Sequence, residues 1–353
     1  MTEATPDLTI PVRAAHRFDE AALAAYLSAK GVLAGPLKIR QFRGGQSNPT
    51  FLLGSDGRRL VLRKKPGGKL LPSAHMIERE YAVLSALAAT DVPVPKMVLL
   101  CEDPGVIGTT FYVMEYLEGR ILRDPRLPGM QPGERRAVYQ AMVETLAHLH
   151  RLDPAEVGLA SFGKPQNYVR RQIETWTRQY RASETRTIGA MDRLIDWLPP
   201  NIPERDETSI IHGDYRLGNL IFHPRESRVI GVLDWELSTL GHPLADLAYN
   251  CLSYDRPAGS GPLSGLAGVD LAASGIPSAT AYGAAYAELT GRDRLADWPF
   301  FMAFAAFRLA AICQGVYARA LQGNASDEAA GQYGDVAAQL AEIGWRRANG
   351  PAR

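Results

Sequence analysis

The chain has 353 residues, which is enough to bury a large core and to form two lobes or two domains. Its 39 lysines and arginines balance 38 aspartates and glutamates, and the net charge of +1 gives no support to a nucleic-acid partner. The three cysteines, Cys101, Cys251 and Cys313, fit no zinc or redox spacing, so we expect free thiols in a reducing cytoplasm.

No membrane segment is expected. The N-terminus has no basic segment followed by an apolar run, which argues against a signal peptide. The most apolar stretch, residues 299–316, contains Arg308 and Gln314 and is too short for a convincing membrane span. Arg308 must be paired there or line a cavity, so a structural ion pair and recognition of an anionic acceptor both stay open. We expect a cytoplasmic protein, either a monomer or a homodimer, with no membrane partner.

Residues 1–117 predict a small lobe that is rich in β-strands. The first segment lacks periodicity, and Asp19 is a typical N-cap for a helix that ends before Gly31. Apolar and alternating runs predict a five-stranded sheet with one further helix at residues 77–89. The strands are expected at residues 37–42, 50–53, 59–65, 96–101 and 110–114. Residues 115–117 then leave the last strand as a polar connector.

From residue 118 the pattern becomes mostly helical. His148 and His150 do not share a helix face at their spacing, so we expect structural roles for them and no metal site. Residues 256–277 are rich in glycine, serine and proline, which indicates a surface loop or a partial lid. Helices are expected at residues 133–152, 168–180, 188–198, 298–321 and 326–349. The predicted class is α+β, with a β-rich lobe at residues 1–117 and a larger helical lobe at residues 118–353.

The strongest chemical signal lies in residues 210–236, which read IIHGDYRLGNLIFHPRESRVIGVLDWE. Asp214 and Asn219 stand in the frame D-x-x-x-x-N, and Asp234 opens the sequence D-W-E. The apolar runs predict short strands at residues 210–211, 220–222 and 229–233, with a turn at 224–227. Both acidic residues would then project from one small hairpin.

Phosphoryl transfer needs this combination of side chains. One carboxylate orients the attacking hydroxyl, while a second carboxylate and a neutral oxygen ligand hold magnesium against the nucleotide phosphates. Asn219 offers a carbonyl oxygen without adding negative charge beside the phosphates. The protein-kinase signature has the same spacing. An isolated D-x-x-x-x-N is often an ordinary turn, but His212 and the flanking strands favour the catalytic interpretation.

The first lobe offers a cation for the phosphates. Alternation along residues 59–65 places Val61 and Arg63 on one face, as kinases place a small apolar residue and the phosphate-binding lysine. A guanidinium can bridge two phosphate oxygens and keeps its charge. Lys64 and Lys65 are the alternatives if the register is shifted, and a solvated basic strand end is a further alternative.

Two neighbouring segments support this phosphate site. Glu80 matches the helix glutamate that pairs with the phosphate-binding cation in kinases, and Glu78 is the alternative on register. Ser47 and Asn48 stand in a glycine-rich turn between two strands, where backbone N–H groups can approach phosphate oxygens. An ordinary hairpin turn is the alternative for that segment.

The quoted motifs, with FRGGQSN, REYAVL, YVMEYLEG and GHPLADLAY, cover nearly the whole chain and resemble the aminoglycoside phosphotransferase family. The chain is most similar to the branch whose kinase-like domain is fused to acyl-CoA dehydrogenases in some eukaryotes. The sequences most specific to that branch are LRKKPGGKLLPSAH, DWELSTLGHPLADLAY and RLAAICQGVYARALQGNAS. The resemblance implies a protein-kinase-like two-lobed fold that binds ATP and Mg²⁺ between the lobes and phosphorylates a hydroxyl of a small molecule.

The resemblance also implies roles for individual residues. Asp214 would accept or orient the acceptor hydroxyl, and Asn219 and Asp234 would bind Mg²⁺. Asp246 would anchor the catalytic loop from beneath, where His212 would hold the loop backbone. The nucleotide contacts are expected from Arg63 held by Glu80, from Ser47 and Asn48 above the phosphates, from Val61 and Met114, and from the hinge backbone of Glu115 to Leu117.

The acceptor stays open, because the wider superfamily phosphorylates antibiotics, amino sugars, choline, homoserine and hydroxyacyl compounds. A hydroxyacyl-CoA or a related metabolite is one expectation. An antibiotic kinase of the aminoglycoside or macrolide type would instead place acidic residues in the acceptor cavity. A catalytically silent, nucleotide-binding pseudokinase is the third alternative, although the presence of both carboxylates and of Asn219 argues against it.

Overall fold

The computed structural model describes residues 9–43, 48–66, 76–259, 263–322 and 328–350. The chain forms two compact units. The first consists of Met1–Glu118 with Gly231–Glu236, and the second of Gly119–Ile230 with Leu237–Arg353. The segment Gly231–Glu236, which the sequence analysis placed with the helical lobe, therefore packs with the β-rich unit.

The first unit is built on a six-stranded antiparallel sheet with the strand order β1-β2-β3-β4-β6-β5. Its strands are β1 (Thr9–Ile10), β2 (Lys38–Phe42), β3 (Thr50–Ser55), β4 (Arg58–Lys64), β5 (Met97–Cys101) and β6 (Phe111–Glu115), and its helices are α1 (Glu20–Ala29), α2 (Ile77–Leu87) and α3 (Pro104–Ile107). The predicted N-cap Asp19 accepts a hydrogen bond from the Ala22 N–H at 2.9 Å.

The prediction of five strands was wrong by one edge strand. Thr9 pairs with Phe42 across β1 and β2, and Arg40 Nε donates to the Thr9 hydroxyl at 2.6 Å. A strand of two residues is too short to show alternation, which is why the sequence did not reveal it.

The central strand β4 has two faces of different character. Leu60 and Leu62 lie in the hydrophobic core of the first unit with Phe51 and Phe111. Arg63, which alternates with them, lies on the opposite face. The predicted alternation along this strand is confirmed, and it decides which cation faces the site described below.

The second unit is mostly helical. Its helices are α4 (Pro132–Arg151), α5 (Tyr168–Ala182), α6 (Gly189–Trp197), α7 (Pro243–Asp255), α8 (Leu271–Ser274), α9 (Ala279–Leu289), α10 (Trp298–Leu321) and α11 (Tyr333–Asn349). The remaining strands are β7 (Arg120–Ile121), β8 (Ser209–Ile211), β9 (Leu220–Phe222), β10 (Val229–Val232) and β11 (Thr239–Gly241). They form two small sheets, β10-β9-β7 and β11-β8. The predicted α+β class is confirmed.

Helix α10 forms the core of the second unit and packs against α5, α7 and α11. By length and composition alone it could cross a membrane, but 78% of its apolar stretch is buried within the protein. Gln314, one of the two polar interruptions in this helix, donates to the Ser183 carbonyl at 2.7 Å. A buried core helix explains the same composition.

Candidate active site

Arg63 is the centre of a cluster of charges in the first unit. It is 9% exposed, and its Nε lies 2.9 Å from a carboxylate oxygen of Glu80, which is 1% exposed. On the other side its Nη2 lies 2.7 Å from Asp234 Oδ1 and 3.7 Å from Glu236 Oε2. The predicted pair of Arg63 and Glu80 is confirmed, and one guanidinium links this glutamate to the D-W-E motif.

Burial and charge shift both members of this pair. Burial alone would lower the pKa of Arg63, but the negative charges of Glu80, Asp234 and Glu236 raise it, so the guanidinium stays charged. Burial raises the pKa of Glu80 to about 7, and Arg63 opposes that shift. The ionised form of Glu80 therefore depends on Arg63.

The neighbouring lysines have other partners. Lys64 is 4% exposed, and its Nζ lies over the ring of Phe18 at 5.9 Å. Lys65 forms an ion pair with Glu78, the alternative that the sequence had left open for the helix glutamate. In the described part of the chain, Arg63 is therefore the cation of this strand that meets the D-W-E motif.

Apart from the hinge, four other residues of this unit were predicted to contact the nucleotide, and three of them lie in the described part of the chain. Val61 and Met114 are paired across β4 and β6, so their side chains share one face of the sheet. Asn48 is buried, and its amide donates to Glu236 at 3.5 Å. Ser47 lies outside the described residues. The phosphate contact predicted for Asn48 stays a prediction.

Glu115, the first residue of the predicted hinge, is bonded to the neighbouring strand. Its backbone N–H donates to the Lys96 carbonyl at 2.9 Å, and its side chain accepts from the Lys96 N–H at 3.0 Å. The sheet therefore uses the Glu115 N–H, because β6 continues through Glu115 beside β5, and the adenine contact predicted for the backbone of Glu115 to Leu117 stays a prediction. Leu117 lies beyond the end of β6, and its role stays a prediction.

Asp214 is held by several donors within the second unit. Tyr249 donates its hydroxyl to Asp214 Oδ1 at 2.6 Å, and Asn219 donates its amide N–H to Oδ2 at 2.9 Å. Arg216 Nε lies 3.2 Å from the same carboxylate. The structure thus brings together Asp214 and Asn219, as their spacing predicts.

The loop that carries Asp214 rests on the buried carboxylate of Asp246, which is 1% exposed. Asp246 accepts the backbone N–H groups of His212 and Gly213 at 2.5 and 2.8 Å, and His150 Nε2 lies at 3.4 Å. The His212 ring accepts the Asp214 N–H at 3.1 Å. The anchoring roles predicted for Asp246 and His212 are confirmed, and His150 is structural, as expected.

These contacts hold the pKa of Asp246 low. Burial alone would raise it, but the hydrogen bond and charge of His150 and the Gly213 N–H stabilise the ionised form and lower the pKa. Gly213 has φ of +85°, and a Cβ there would lie 2.6 Å from the Leu237 carbonyl oxygen. Glycine therefore lets the loop turn over the carboxylate.

Helix α7 supplies two contacts that the sequence analysis missed. Tyr249 and Asn250 follow Asp246 by three and four residues, so all three lie on the helix face toward the loop. Asn250 Nδ2 donates to the Tyr215 carbonyl at 3.3 Å. The signal was present in LADLAYN, where polar residues follow the anchoring aspartate at helical spacing.

A cavity of about 330 Å³ adjoins Asp214 within the second unit. Arg216 and Tyr249, which both contact the Asp214 carboxylate, are among its lining residues. The charged residues of the lining are four arginines and one aspartate, namely Arg123, Arg126, Arg216, Arg256 and Asp124. Arg126 is paired with Asp124 and Arg216 with Asp214, and the remaining charges of Arg123 and Arg256 make the described wall of this cavity basic.

The ion pair expected for Arg308 is wrong. The residue is 5% exposed, and no carboxylate within the described ranges lies at ion-pair distance. Its guanidinium lies instead over the rings of Trp176 and Tyr249, at 5.6 and 5.5 Å. Aromatic faces therefore replace the carboxylate that we had expected, and the cation stands behind the tyrosine that holds Asp214.

The acidic groups suit a magnesium ion. Carboxylate oxygens of Glu80, Asp234 and Glu236 lie within 4.8 Å of one another, and oxygen is the ligand that magnesium prefers. Asp234 has φ of +68°, a strained conformation for a non-glycine residue that is common at functional sites. Within the second unit, Asn219 directs its amide nitrogen to Asp214, and the magnesium contact predicted for its carbonyl oxygen stays a prediction.

Comparison with known proteins agrees with this architecture. The family model described as "Phosphotransferase enzyme family" matches residues 38–298. Acyl-CoA dehydrogenase family member 10 of Mus musculus is 49% identical over 341 residues, which cover 96% of this chain and 32% of that protein. Family member 11 of Homo sapiens is 47% identical over 338 residues, or 93% of this chain and 43% of that protein. The chain thus spans less than half the length of these relatives.

Solved structures show the same fold. A candidate aminoglycoside phosphotransferase from Ralstonia eutropha is 50% identical with a TM-score of 0.86, over 96% of this chain and 100% of that one. A thermostable mutant of aminoglycoside phosphotransferase APH(4)-Ia, solved with ADP and hygromycin B, has a TM-score of 0.62 at 16% identity. It covers 94% of this chain and all of its own, and at this identity it shows the fold alone. The predicted protein-kinase-like fold is confirmed.

We expect the substitution Arg63→Gln to destabilise the first unit by about 3–5 kcal/mol, because it leaves Glu80 buried without its cation. The double variant Arg63→Gln/Glu80→Gln should recover much of this loss. Arg59→Gln, which breaks an exposed pair in the same strand, should cost less than about 1 kcal/mol. Urea unfolding of the four proteins measures these differences.

The cost of Arg63→Gln should be larger at pH 8 than at pH 6. The pKa of Glu80 is raised in the folded state from 4.5 to about 7, so the wild type loses stability as the pH rises from about 4.5 to about 7 and loses no more above that value. Removing Arg63 raises the pKa of Glu80 further, so the variant continues to lose stability at pH values above the range in which the wild type does. An equal cost at both pH values would show that Glu80 does not depend on Arg63 for its charge.

We expect Asp246→Asn to destabilise the second unit by at least about 1–3 kcal/mol, because an amide cannot accept both loop N–H groups as the carboxylate does. Asp335→Asn, at a side chain that is 80% exposed in its ion pair, is the matched control and should cost under about 1 kcal/mol. Thermal and urea unfolding at neutral pH measure both variants.

Acidification provides the second readout for Asp246. Its pKa is depressed in the folded state, so its contribution is present at neutral pH and is lost as the pH falls through that low value. The difference between wild type and Asp246→Asn should therefore shrink in acid. A difference that stays constant down to strongly acidic pH would contradict the anchoring role.

Proposed function

Because the chain belongs to the phosphotransferase enzyme family, we propose that it is an ATP- and magnesium-dependent kinase that transfers the γ-phosphoryl group to a hydroxyl of a small molecule. The observation that carries this proposal is the setting of Asp214. Its carboxylate is fixed by Tyr249 and Asn219, and residues that contact it line a cavity large enough for a metabolite.

The reaction divides among named residues. Asp214 orients the acceptor hydroxyl and accepts its proton as the phosphoryl group arrives. Tyr249 and Arg216 hold that carboxylate in one orientation, and positioning of this kind supplies much of the rate in phosphoryl transfer. Arg63, held by Glu80, binds the nucleotide phosphates through its planar donors.

Asn219 and Asp234 are the proposed magnesium ligands, and Glu236 adds a third oxygen donor that the sequence analysis did not assign. The metal, when bound, neutralises charge that develops on the transferred phosphoryl group. Arg63 is paired with Asp234 and Glu236 as well as with Glu80, so one positive charge faces three carboxylates and the cluster keeps a net negative charge that suits a metal ion.

The charge of the cavity bears on the acceptor. A polycationic drug would meet four arginines there and one aspartate that is already paired. An antibiotic kinase for aminoglycosides would be expected to place carboxylates at this wall. The lining therefore favours a metabolite, and the relatives that bear acyl-CoA dehydrogenase names point to a hydroxyacyl-CoA or a related compound.

The test is a screen for ADP release with Mg²⁺, ATP and a panel of hydroxyl-bearing metabolites that includes hydroxyacyl-CoA thioesters and hygromycin B. We expect ADP release to depend on an acceptor and on Mg²⁺. Asp214→Asn should lower turnover by about 10²–10⁴-fold, while the affinity for ATP stays nearly unchanged, because the proton acceptor is lost and the nucleotide contacts remain. Equal losses of turnover and ATP affinity would make Asp214 structural.

Tyr249→Phe should lower turnover by about tenfold without changing the KM for ATP, since it removes one hydrogen bond from Asp214 and little volume. The control is Tyr282→Phe, whose buried hydroxyl bonds no described residue and lies outside the cavity lining. If both variants behave alike, Tyr249 does not position Asp214. Steady-state kinetics with the acceptor found in the screen provide the comparison.

A further inference from the structure

We propose that Arg256 and Tyr254 form an anion-binding subsite in the basic cavity, which anchors a carboxylate or phosphate group of the acceptor. This inference rests on the proposed function and assigns a chemical class to the acceptor. It also assigns specificity to two residues that take no part in the phosphoryl transfer itself.

Arg256 is a half-buried cation, and no carboxylate among the described residues lies at ion-pair distance from it. Its Nη2 donates to the Ser264 carbonyl at 3.3 Å, and its Nε is buried with no hydrogen-bond partner among the described residues. Burial lowers the pKa of Arg256, because desolvation disfavours the charged form. A desolvated cation is costly unless an anion or further acceptors complete its shell.

Tyr254 presents a second unsatisfied donor in the same cavity wall. Its hydroxyl is buried and bonds no residue in the described part of the chain, while its ring packs against Tyr139 and Tyr282. Buried polar atoms are nearly always hydrogen-bonded in folded proteins. Both residues line the cavity, where their side chains can meet a ligand with several acceptor oxygens, such as a carboxylate or a phosphate.

The fold holds Arg256 in place before any ligand arrives. It caps the C-terminus of α7, and its carbonyl accepts the Ala267 N–H at 2.9 Å. The Gly265 N–H donates to the Pro257 carbonyl at 2.9 Å, and a Cβ on Gly265 would lie 2.1 Å from the Arg256 carbonyl oxygen. A subsite that is already ordered loses little entropy on binding.

Other residues that line the cavity also favour an anionic ligand. Burial is the main cause that lowers the pKa of Arg256, and the charge of Arg216 lowers it further, although Arg216 is itself paired with Asp214. Arg123 adds a further positive charge to the lining, whereas the charge of Arg126 is matched by Asp124. A negatively charged acceptor offsets this positive charge, and a neutral one does not.

The test uses three probes that share one acyl chain and differ in charge. They are 3-hydroxybutyrate, which carries a carboxylate, its CoA thioester, which carries phosphates, and its N-acetylcysteamine thioester, which is neutral. Binding is measured by titration calorimetry on the full chain with saturating ADP and Mg²⁺, which occupy the nucleotide site. The proteins are the wild type, Arg256→Gln, Arg256→Lys, Tyr254→Phe and Arg136→Gln.

We expect the wild type to bind at least one anionic probe about tenfold or more tightly than the neutral thioester. Arg256→Gln should abolish this preference, and Arg256→Lys should keep part of it, because lysine retains the charge and loses the fork. Arg136→Gln removes an exposed charge of α4 and should match the wild type. The anionic probe that loses affinity identifies carboxylate or phosphate as the anchored group.

Tyr254→Phe separates binding from folding. Removing a buried hydroxyl without a partner should leave the unfolding midpoint unchanged or raise it, while the anionic probe binds several-fold more weakly. A merely structural tyrosine would lower stability and leave the preference among the probes intact.

Two results would overturn the subsite: equal binding of all probes by the wild type and Arg256→Gln, or no binding of either anion by the wild type. ADP release from the same probes is measured in parallel. Arg256-dependent binding without ADP release for any acceptor would remove the kinase proposal and keep the subsite. Acceptor-dependent ADP release that is the same in the wild type and in Arg256→Gln would remove the subsite and keep the kinase proposal.

Discussion

The site of the second unit depends on the hydrogen bonds that the buried carboxylate of Asp246 accepts from the loop. This carboxylate is a buried charge whose solvation comes from two backbone N–H groups of the loop and from His150. A buried charge tolerates little displacement, since each lost donor costs more than an ordinary hydrogen bond returns. The loop is therefore tied to α7 at its start, and Asp214 follows the two anchored residues directly.

Helix α7 contributes both to the loop that carries Asp214 and to the wall of the cavity. One face of α7 presents Asp246 and Tyr249 to the catalytic loop, and its C-terminal end carries Tyr254 and Arg256 to the cavity wall. A helix is stiff, so these groups keep fixed spacings along its axis. Asp214, the proposed catalytic carboxylate, and the proposed anion subsite are thus positioned by one element, which would couple acceptor recognition to the geometry of the proposed reaction.

In the first unit an arginine occupies the place where protein kinases have a lysine, and its fork suits the position. One guanidinium contacts Glu80 through Nε and Asp234 through Nη2, which a single ammonium cannot do along two fixed directions. Three carboxylates share one cation in this cluster. Binding of magnesium and nucleotide phosphates would therefore change how charges already present in the cluster are paired. The strained backbone of Asp234 is held by the same contacts.

The sequence by itself determined the α+β class and most of the element positions, and it predicted the contacts of Arg63 with Glu80 and of Asp214 with Asn219. These follow from patterns that are local, namely alternation along β4, helical periodicity and the spacing of D-x-x-x-x-N. It also gave the anchoring roles of Asp246 and His212 through the family resemblance. Each of these inferences uses residues that are close in sequence or fall in one motif.

Only the tertiary structure decided which partners meet across long separations. The short edge strand at Thr9, the engaged N–H of Glu115 and the aromatic partners of Arg308 depend on segments that are distant in the chain. The same holds for Arg256 and Tyr254, since a loop rich in glycine and proline carries no periodicity that shows which side chains become buried together. Local patterns specify secondary structure, whereas burial and unsatisfied charge exist only once the elements have packed.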